Sequence, residues 1–165
     1  MAENGAYHLG IYLNDHLAGS TTGIELVRRG IEQYKGTALG DFLAEIGAEI
    51  EEDRDELKSV MEANGIGQQR YKLVAAWVAE KAGRFKFNGA LVRRSPLTPL
   101  VELETLALGV HGKEALWRLL RAKPVDEVTA ARLDRLIERA QSQREAIERY
   151  RIEAGARAIS PARAP

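Results

Sequence analysis

One helical period runs without interruption through residues 37–65, TALGDFLAEIGAEIEEDRDELKSVMEANG. Core-type positions recur there in steps of three and four residues, at Leu39, Leu43, Ile46, Ile50, Asp53, Leu57 and Val60. Such spacing turns one side of an α-helix towards a neighbouring helix. Thr37 is a suitable N-cap and Asn64-Gly65 a suitable end, so the stretch predicts one long helix.

The same period predicts three more long helices in the chain. A first helix, about Tyr7 to Tyr34, has apolar or small residues at 13, 17, 20, 24, 27, 31 and 34. Another begins at Ser95-Pro96, where the missing N–H of proline costs no helical hydrogen bond, and ends near Arg121. The last runs from about Val125 to Ala158. A shorter helix, about Gln68 to Lys86, is predicted between the second and third long ones.

The number and length of these helices predict the fold class. Strand signals are nearly absent, and long helices joined by short connections favour an all-α fold. We expect an antiparallel up-down four-helix bundle, with the shorter helix between bundle helices two and three. Residues 1–159 are predicted to form a single domain, and residues 160–165, which lack an apolar period, a disordered tail.

Composition narrows the class of function. The 24 basic and 24 acidic side chains cancel, which argues against a dedicated nucleic-acid binder. The chain has no cysteine, so disulfides, zinc-thiolate sites and thiol nucleophiles are excluded. No stretch of 18 apolar residues and no apolar signal region occurs, so we expect a cytoplasmic protein without a membrane span.

Charge is unevenly distributed along the chain. Residues 37–64 hold nine acids and two bases, and residues 69–95 hold seven bases and one acid. The two segments could complement each other within the fold, or one of them could meet a partner protein. Exposed ion pairs contribute only about 0–1 kcal/mol each, so the asymmetry orients helices more than it stabilises them.

Two short runs carry a resemblance to a known family. The first is Leu13-Asn14-Asp15-His16-Leu17, near the start of helix one, and the second is Glu49-Ile-Glu-Glu-Asp-Arg-Asp-Glu-Leu57 in helix two. With the order and lengths of the helices, they resemble the ferritin-like superfamily over about residues 7–155. The resemblance implies a four-helix bundle in which Glu from two helices and Glu-x-x-His from the other two would hold a pair of metal ions.

The ligand positions that the resemblance implies are largely occupied by other residue types. They fall on Ser20, on Ile50 and Asp53 (or Glu49 and Glu52), on Glu102, and on Gln141 and Arg144. None of the three histidines, His8, His16 and His111, follows a Glu by three residues, so the chain contains no Glu-x-x-His. We therefore expect no metal and no cofactor.

Two charges fall on predicted core positions. Asp53 lies between Ile50 and Leu57 in helix two. In the last helix the core period is Leu133, Ile137, Ala140, Arg144, Ile147, Arg151 and Ala154, which places Arg144 inside. A buried charge needs a partner, so we predict a buried polar network of Asp53 and Arg144, with Glu102 as a possible third member. The alternative is that Arg144 extends to the surface.

Other residues are weaker candidates for a site. Glu104 and His111 share a helix face and could be two ligands of a metal or structural residues. The acids Glu45, Glu49, Glu52 and Glu56 form a solvated face or a loose divalent-cation site. If a metal is bound, its ligands would come from Glu49, Glu52, Asp53, Glu102, Glu104 and His111.

Three further features concern packing. His16 is interpreted as a surface or interface histidine, since its neighbour Asp15 points away from it on a helix. Trp77 and Trp117 are interpreted as core or interface anchors. Gly109 and Gly112 would allow a neighbouring helix to approach closely.

The sequence contains no catalytic signature. Walker, Rossmann and Gly-x-Ser-x-Gly patterns are absent, and no residue is assigned a catalytic role. The favoured interpretation is a non-catalytic bundle that acts through protein–protein contacts, as a homo-oligomer with a dimer as its simplest form. Two alternatives remain open: an iron carboxylate protein with atypical ligands for iron handling or oxidation, and a bundle that binds an apolar ligand.

Overall fold

Four α-helices and no β-strand make up the residues that the computed structural model describes, which are 2–68, 95–123 and 127–160. The helices are α1 (Ala2–Gln33), α2 (Ala38–Ala63), α3 (Thr98–Arg121) and α4 (Glu127–Ile159). The prediction of an all-α chain with four long helices is confirmed. Residues 69–86 of the predicted short helix lie outside the described residues, together with Trp77 and most of the basic segment. Residues 161–165 of the predicted tail lie outside them as well.

Helix bounds agree closely with the apolar period, apart from the start of α1. Thr37 is the N-cap of α2, and its hydroxyl accepts a hydrogen bond from the Gly40 amide at 3.2 Å. At the other end Gly65 has a positive φ of 66°, and the amide of Ile66 bonds back to Met61. Helix α1 begins at Ala2, five residues before the predicted Tyr7.

The chain divides into two compact units, Met1–Asn88 and Gly89–Pro165. Within the first unit, residues of α1 and α2 meet in reverse order. A Cβ added to Gly30 would lie 2.7 Å from Leu43 Cδ1, and one added to Gly47 would lie 2.7 Å from Val27 Cγ1. These two glycines therefore mark places where α1 and α2 approach each other closely.

The core of the first unit follows most of the predicted steps, but near the end of α2 Met61 is buried and the predicted Val60 is only half-buried. Its most buried side chains include Leu13, Leu17, Val27, Leu57 and Met61. Asp53 is 2% exposed, so its predicted core position is confirmed.

In the second unit, residues of α3 and α4 also meet in reverse order. Arg121 near the end of α3 pairs with Asp134 at 2.9 Å, and Glu104 near its start pairs with Arg151 at 3.4 Å. Trp117 is fully buried, as predicted for an anchor, although its indole N–H has no hydrogen-bond partner among the described residues. The other core residues here include Leu103, Leu106, Val110, Leu120, Leu133, Leu136, Ala140 and Ile147.

The predicted burial of Arg144 is wrong. Its side chain is 45% exposed, and the neighbouring Gln143, 2% exposed, takes the core position instead. Steps of three and four from Leu133 can lead to either residue, so the period alone leaves the choice open. A neutral amide costs less to bury than a guanidinium, which can keep its head group in water while its stem packs.

Candidate functional site

A buried carboxylate on α3, Glu114, forms the centre of a polar cluster within the second unit. Glu114 is 4% exposed and lies on the side of α3 that packs against α4. Arg118, one turn further along α3, donates from Nε and Nη2 to Oε1 at 2.9 and 2.8 Å. From α4, Arg144 donates from Nη1 to Oε2 at 2.6 Å, and Gln141 donates to Oε1 at 3.4 Å. Both carboxylate oxygens are therefore engaged.

The surroundings of Glu114 favour its charged form. The hydrogen bond from Arg144 is the main cause that lowers the pKa of Glu114 below its ordinary value, and the bond from Arg118 adds to it. Burial acts in the opposite direction but does not prevail. The carboxylate is thus ionised at neutral pH, and in this form it has no proton to donate.

A second polar contact reinforces the cluster. Lys113, next to Glu114, donates from Nζ to Oε1 of the buried Gln143 at 2.5 Å. Both contacts join α3 to α4, while the head groups of Arg118 and Arg144 stay about half exposed. This arrangement therefore holds the α3–α4 pair in register.

Sequence reasoning missed Glu114 and Gln143, although a signal for Glu114 was present. Glu114 continues the core period of Val110 and Trp117, and Arg118 follows it by four residues, the spacing of a helical ion pair. For Gln143 the only signal was its place three residues after the buried Ala140.

The predicted network of Asp53, Arg144 and Glu102 stays a prediction. Asp53 belongs to the first unit, and Arg144 and Glu102 to the second. Within the second unit, the charged partner of Arg144 is Glu114, and Glu102 is half-buried.

The candidate metal ligands are placed as follows. Glu49 and Glu52 are exposed on α2, and His111 is exposed on α3, where Glu104 pairs with Arg151. Across residues 2–68, 95–123 and 127–160, no three His, Asp or Glu side chains stand close enough to hold one metal ion. Whether the chain binds iron stays a prediction.

At two further positions that the ferritin-like resemblance implies, Ser20 and Gln141, the side chains are engaged in other hydrogen bonds. Ser20 donates its hydroxyl to the backbone oxygen of Leu17 at 2.7 Å, and Gln141 belongs to the Glu114 cluster. Of the acidic face on α2, Glu45, Glu49 and Glu52 are exposed and Glu56 is half-buried, as a largely solvated face requires.

His16 lies at the margin of the first unit. Its ring is half-buried and meets the ring of Tyr12 edge-on, with the centroids 4.6 Å apart. Burial lowers the pKa of His16, while the charge of Asp15 raises it less strongly. His16 is therefore a partly packed residue, not a fully exposed one.

The second unit has an exposed apolar line along α3. Leu97, Val101, Leu108 and Leu119 are between 46% and 74% exposed. At about 100° per residue they fall within about 40° of one another around the helix. Ala115, also exposed, lies on the same line. We call these five residues the α3 stripe.

The α3 stripe lies opposite the buried side of the same helix. Leu106, Val110 and Trp117, which pack inside the unit, point about 180° away from it. Helix α3 also carries fewer charges than α4: 6 of its 24 residues are charged, against 13 of the 33 residues of α4. Single exposed aliphatic residues are ordinary, but several in one row on a helix that already buries its other side are less common.

The chain matches no protein-family model, no curated protein and no solved structure. None of the helices in the described parts of the chain is long and apolar enough to cross a membrane.

Proposed function

We propose that this chain is a non-catalytic helical protein that acts by binding another protein through the α3 stripe. The observation that carries this proposal is the row of aliphatic side chains on the exposed side of α3. Burial of such a side chain stabilises a complex by up to about 1.5–3 kcal/mol, before the cost of association is subtracted.

The surroundings of the stripe fit a contact surface. Charged and polar residues, Glu104, His111 and Arg118, are exposed beside it. Protein interfaces commonly combine an apolar centre with a polar rim. A row about 33 Å long, at about 1.5 Å per residue, also suits a partner helix better than a small ligand.

The polar chemistry of the second unit supports a non-catalytic role. Glu114 is the buried carboxylate there, and its two oxygens accept hydrogen bonds from Arg118 and Arg144. A general acid or base needs a proton that it can exchange at the working pH. The lowered pKa of Glu114 acts against that requirement.

For the whole chain we propose an antiparallel four-helix bundle of the ferritin-like type, in the cytoplasm. The order and length of the helices support the bundle, as does the reverse-order contact within each helix pair.

Site-specific photo-crosslinking tests the proposed contact in cells that naturally make the protein. The photoreactive residue p-benzoylphenylalanine replaces Leu108 in one variant and the exposed Glu145 of α4 in a control. We expect a discrete protein adduct at position 108 and none at position 145. Absence of any protein adduct at 108, or equal adducts at both positions, would overturn the proposal.

A further inference from the structure

We infer, on the basis of the contact function proposed above, that the partner of the α3 stripe is a second copy of this chain. The second copy presents its own α3 in the opposite direction, with a two-fold axis at Leu108. Two-fold dimers are the commonest symmetric assemblies, and their interface must be complementary to itself. The α3 stripe meets that requirement in spacing, size and charge.

The spacing of the stripe is the same in both directions. The positions along this side of α3 are 97, 101, 104, 108, 112, 115 and 119. They are separated by four, three, four, four, three and four residues, which is the same order from either end. A two-fold axis at Leu108 therefore pairs Leu97 of one copy with Leu119 of the other, and Val101 with Ala115. Leu108, the most exposed residue of the stripe at 74%, meets its own equivalent.

Side-chain sizes complement each other in this register. Glu104 of one copy lies opposite Gly112 of the other, and the branched Val101 lies opposite the small Ala115. A Cβ added to Gly112 or to Gly109 would meet nothing within 4 Å, so the surface beside these glycines is open. The predicted close approach of a helix to Gly112 is thus assigned to the second copy, whereas Gly109 lies off the stripe.

The charges of α3 favour the same direction. The half before Leu108 contains Glu102 and Glu104 and no base. The half after it contains Lys113, Arg118 and Arg121 and a single acid, Glu114. Of these charges, the exposed Glu104 and Arg118 lie beside the stripe. A reversed second helix brings Glu104 of each copy nearer to Arg118 of the other, whereas a parallel one would place like charges together.

The area of the contact indicates how strong the dimer is. Two helices touching along about 33 Å, over a width of about 10 Å, cover on the order of 330 Å² per chain. Stable complexes bury about 800 Å² per partner. The dimer is therefore reversible, and its population depends on protein concentration.

Cysteine substitution tests the register directly, because the chain has no cysteine of its own. The first variant is Leu108→Cys, which brings two thiols together on the axis. Val101→Cys and Ala115→Cys are the matched controls on the same stripe. Each is seven residues from the axis, so the two equivalent thiols would be about 21 Å apart, too far for a disulfide.

We expect Leu108→Cys to form a covalent dimer under mild copper–phenanthroline oxidation at least tenfold faster than either control. An equal mixture of the Val101→Cys and Ala115→Cys chains should yield the mixed covalent dimer, although neither chain alone forms a covalent dimer. Circular dichroism checks that all three exposed-site variants keep the helical content of the wild type. Urea at unfolding concentrations should abolish the crosslink of Leu108→Cys.

Three results would overturn the inference. Equal rates for Leu108→Cys and Val101→Cys would show random collision, and self-crosslinking of all three chains would show a parallel pair. A wild-type chain that stays monomeric at every concentration would show that the stripe has another occupant. In that last case, a position-108 adduct to a different protein would leave the contact function standing, whereas no adduct would overturn both proposals.

Discussion

A single carboxylate, Glu114, determines the electrostatics between α3 and α4. Its burial at 4% exposure would be costly for an isolated charge, yet Arg118 from the same helix and Arg144 from α4 both reach it while their own head groups stay half in water. The charge is thus compensated without the burial of a second ion. This arrangement explains why one acid can occupy a core position of an otherwise apolar interface.

Replacement of Glu114 should destabilise the second unit. Glu114→Gln keeps the shape of the side chain but points an amide N–H₂ group at guanidinium donors. We expect a loss of about 2 kcal/mol in the free energy of unfolding, measured by urea denaturation. The matched control is Glu104→Gln, which removes the exposed pair with Arg151 and should cost about 0–1 kcal/mol. Equal losses for the two variants would contradict the structural role of Glu114.

The contribution of Glu114 should also depend on pH. Its pKa in the folded chain lies below the ordinary value of 4.5, so the unfolded chain takes up this proton first as the pH falls. The stability that Glu114 provides is complete well above pH 4.5 and is lost as the pH falls through the folded pKa. The difference in unfolding free energy between wild type and Glu114→Gln should therefore shrink in acid. A difference that stays constant or grows down to acid unfolding would refute this.

At the residue scale, the sequence predicted the burial of Asp53 but misplaced that of Arg144. Asp53 lies between the apolar Ile50 and Leu57 in the period, so the period assigns it to the core. Arg144 and Gln143 both satisfy the steps of three and four, and only the free energy of burying their head groups separates them. Glu114 was missed since a charge on a core position becomes plausible only when its cationic partners are known, and one of these comes from another helix.

At the scale of the helices, the sequence predicted most of what the structure shows. The Thr37 cap, the Gly65 end of α2 and the end of α3 near Arg121 all follow from local chemistry. The start of α1 at Ala2 does not follow in this way, because the apolar period used for the prediction begins only later in the chain. The exposed apolar side of α3 does not follow from the sequence either. An apolar period does not say which element of the structure, if any, covers a given face of the helix.

The close approach of α1 to α2 gives a prediction at this scale. Gly47→Ala should destabilise the first unit, because the new Cβ would lie 2.7 Å from the buried Val27, whose branched side chain has little freedom to move. We expect a net loss of about 1–2 kcal/mol in the free energy of unfolding. The control Gly19→Ala lies on the exposed side of α1 with nothing within 4 Å and should gain about 0.8–1 kcal/mol. A gain in both variants would show that Val27 adjusts freely.

At the scale of the whole molecule, the ferritin-like resemblance makes a prediction about iron. The chain has no Glu-x-x-His, Ser20 donates its hydroxyl to its own helix backbone, and Glu104 pairs with Arg151. We expect purified protein loaded with ferrous iron and then desalted to retain well below one iron per chain, measured by plasma emission spectroscopy. About two irons per chain, as a dinuclear bundle site would hold, would favour the alternative of an iron carboxylate protein.

The central claim is that the exposed side of α3 meets a second copy of the chain, and the mass in solution tests it most directly. Sedimentation equilibrium should show the wild-type mass rising with concentration from 18.2 kDa towards twice that value. Leu108→Lys places two like charges on the axis and should stay at 18.2 kDa throughout, whereas Glu145→Lys on α4 should behave as the wild type. A wild-type mass of 18.2 kDa at every concentration, or a Leu108→Lys chain that dimerises as well as the wild type, would contradict the claim.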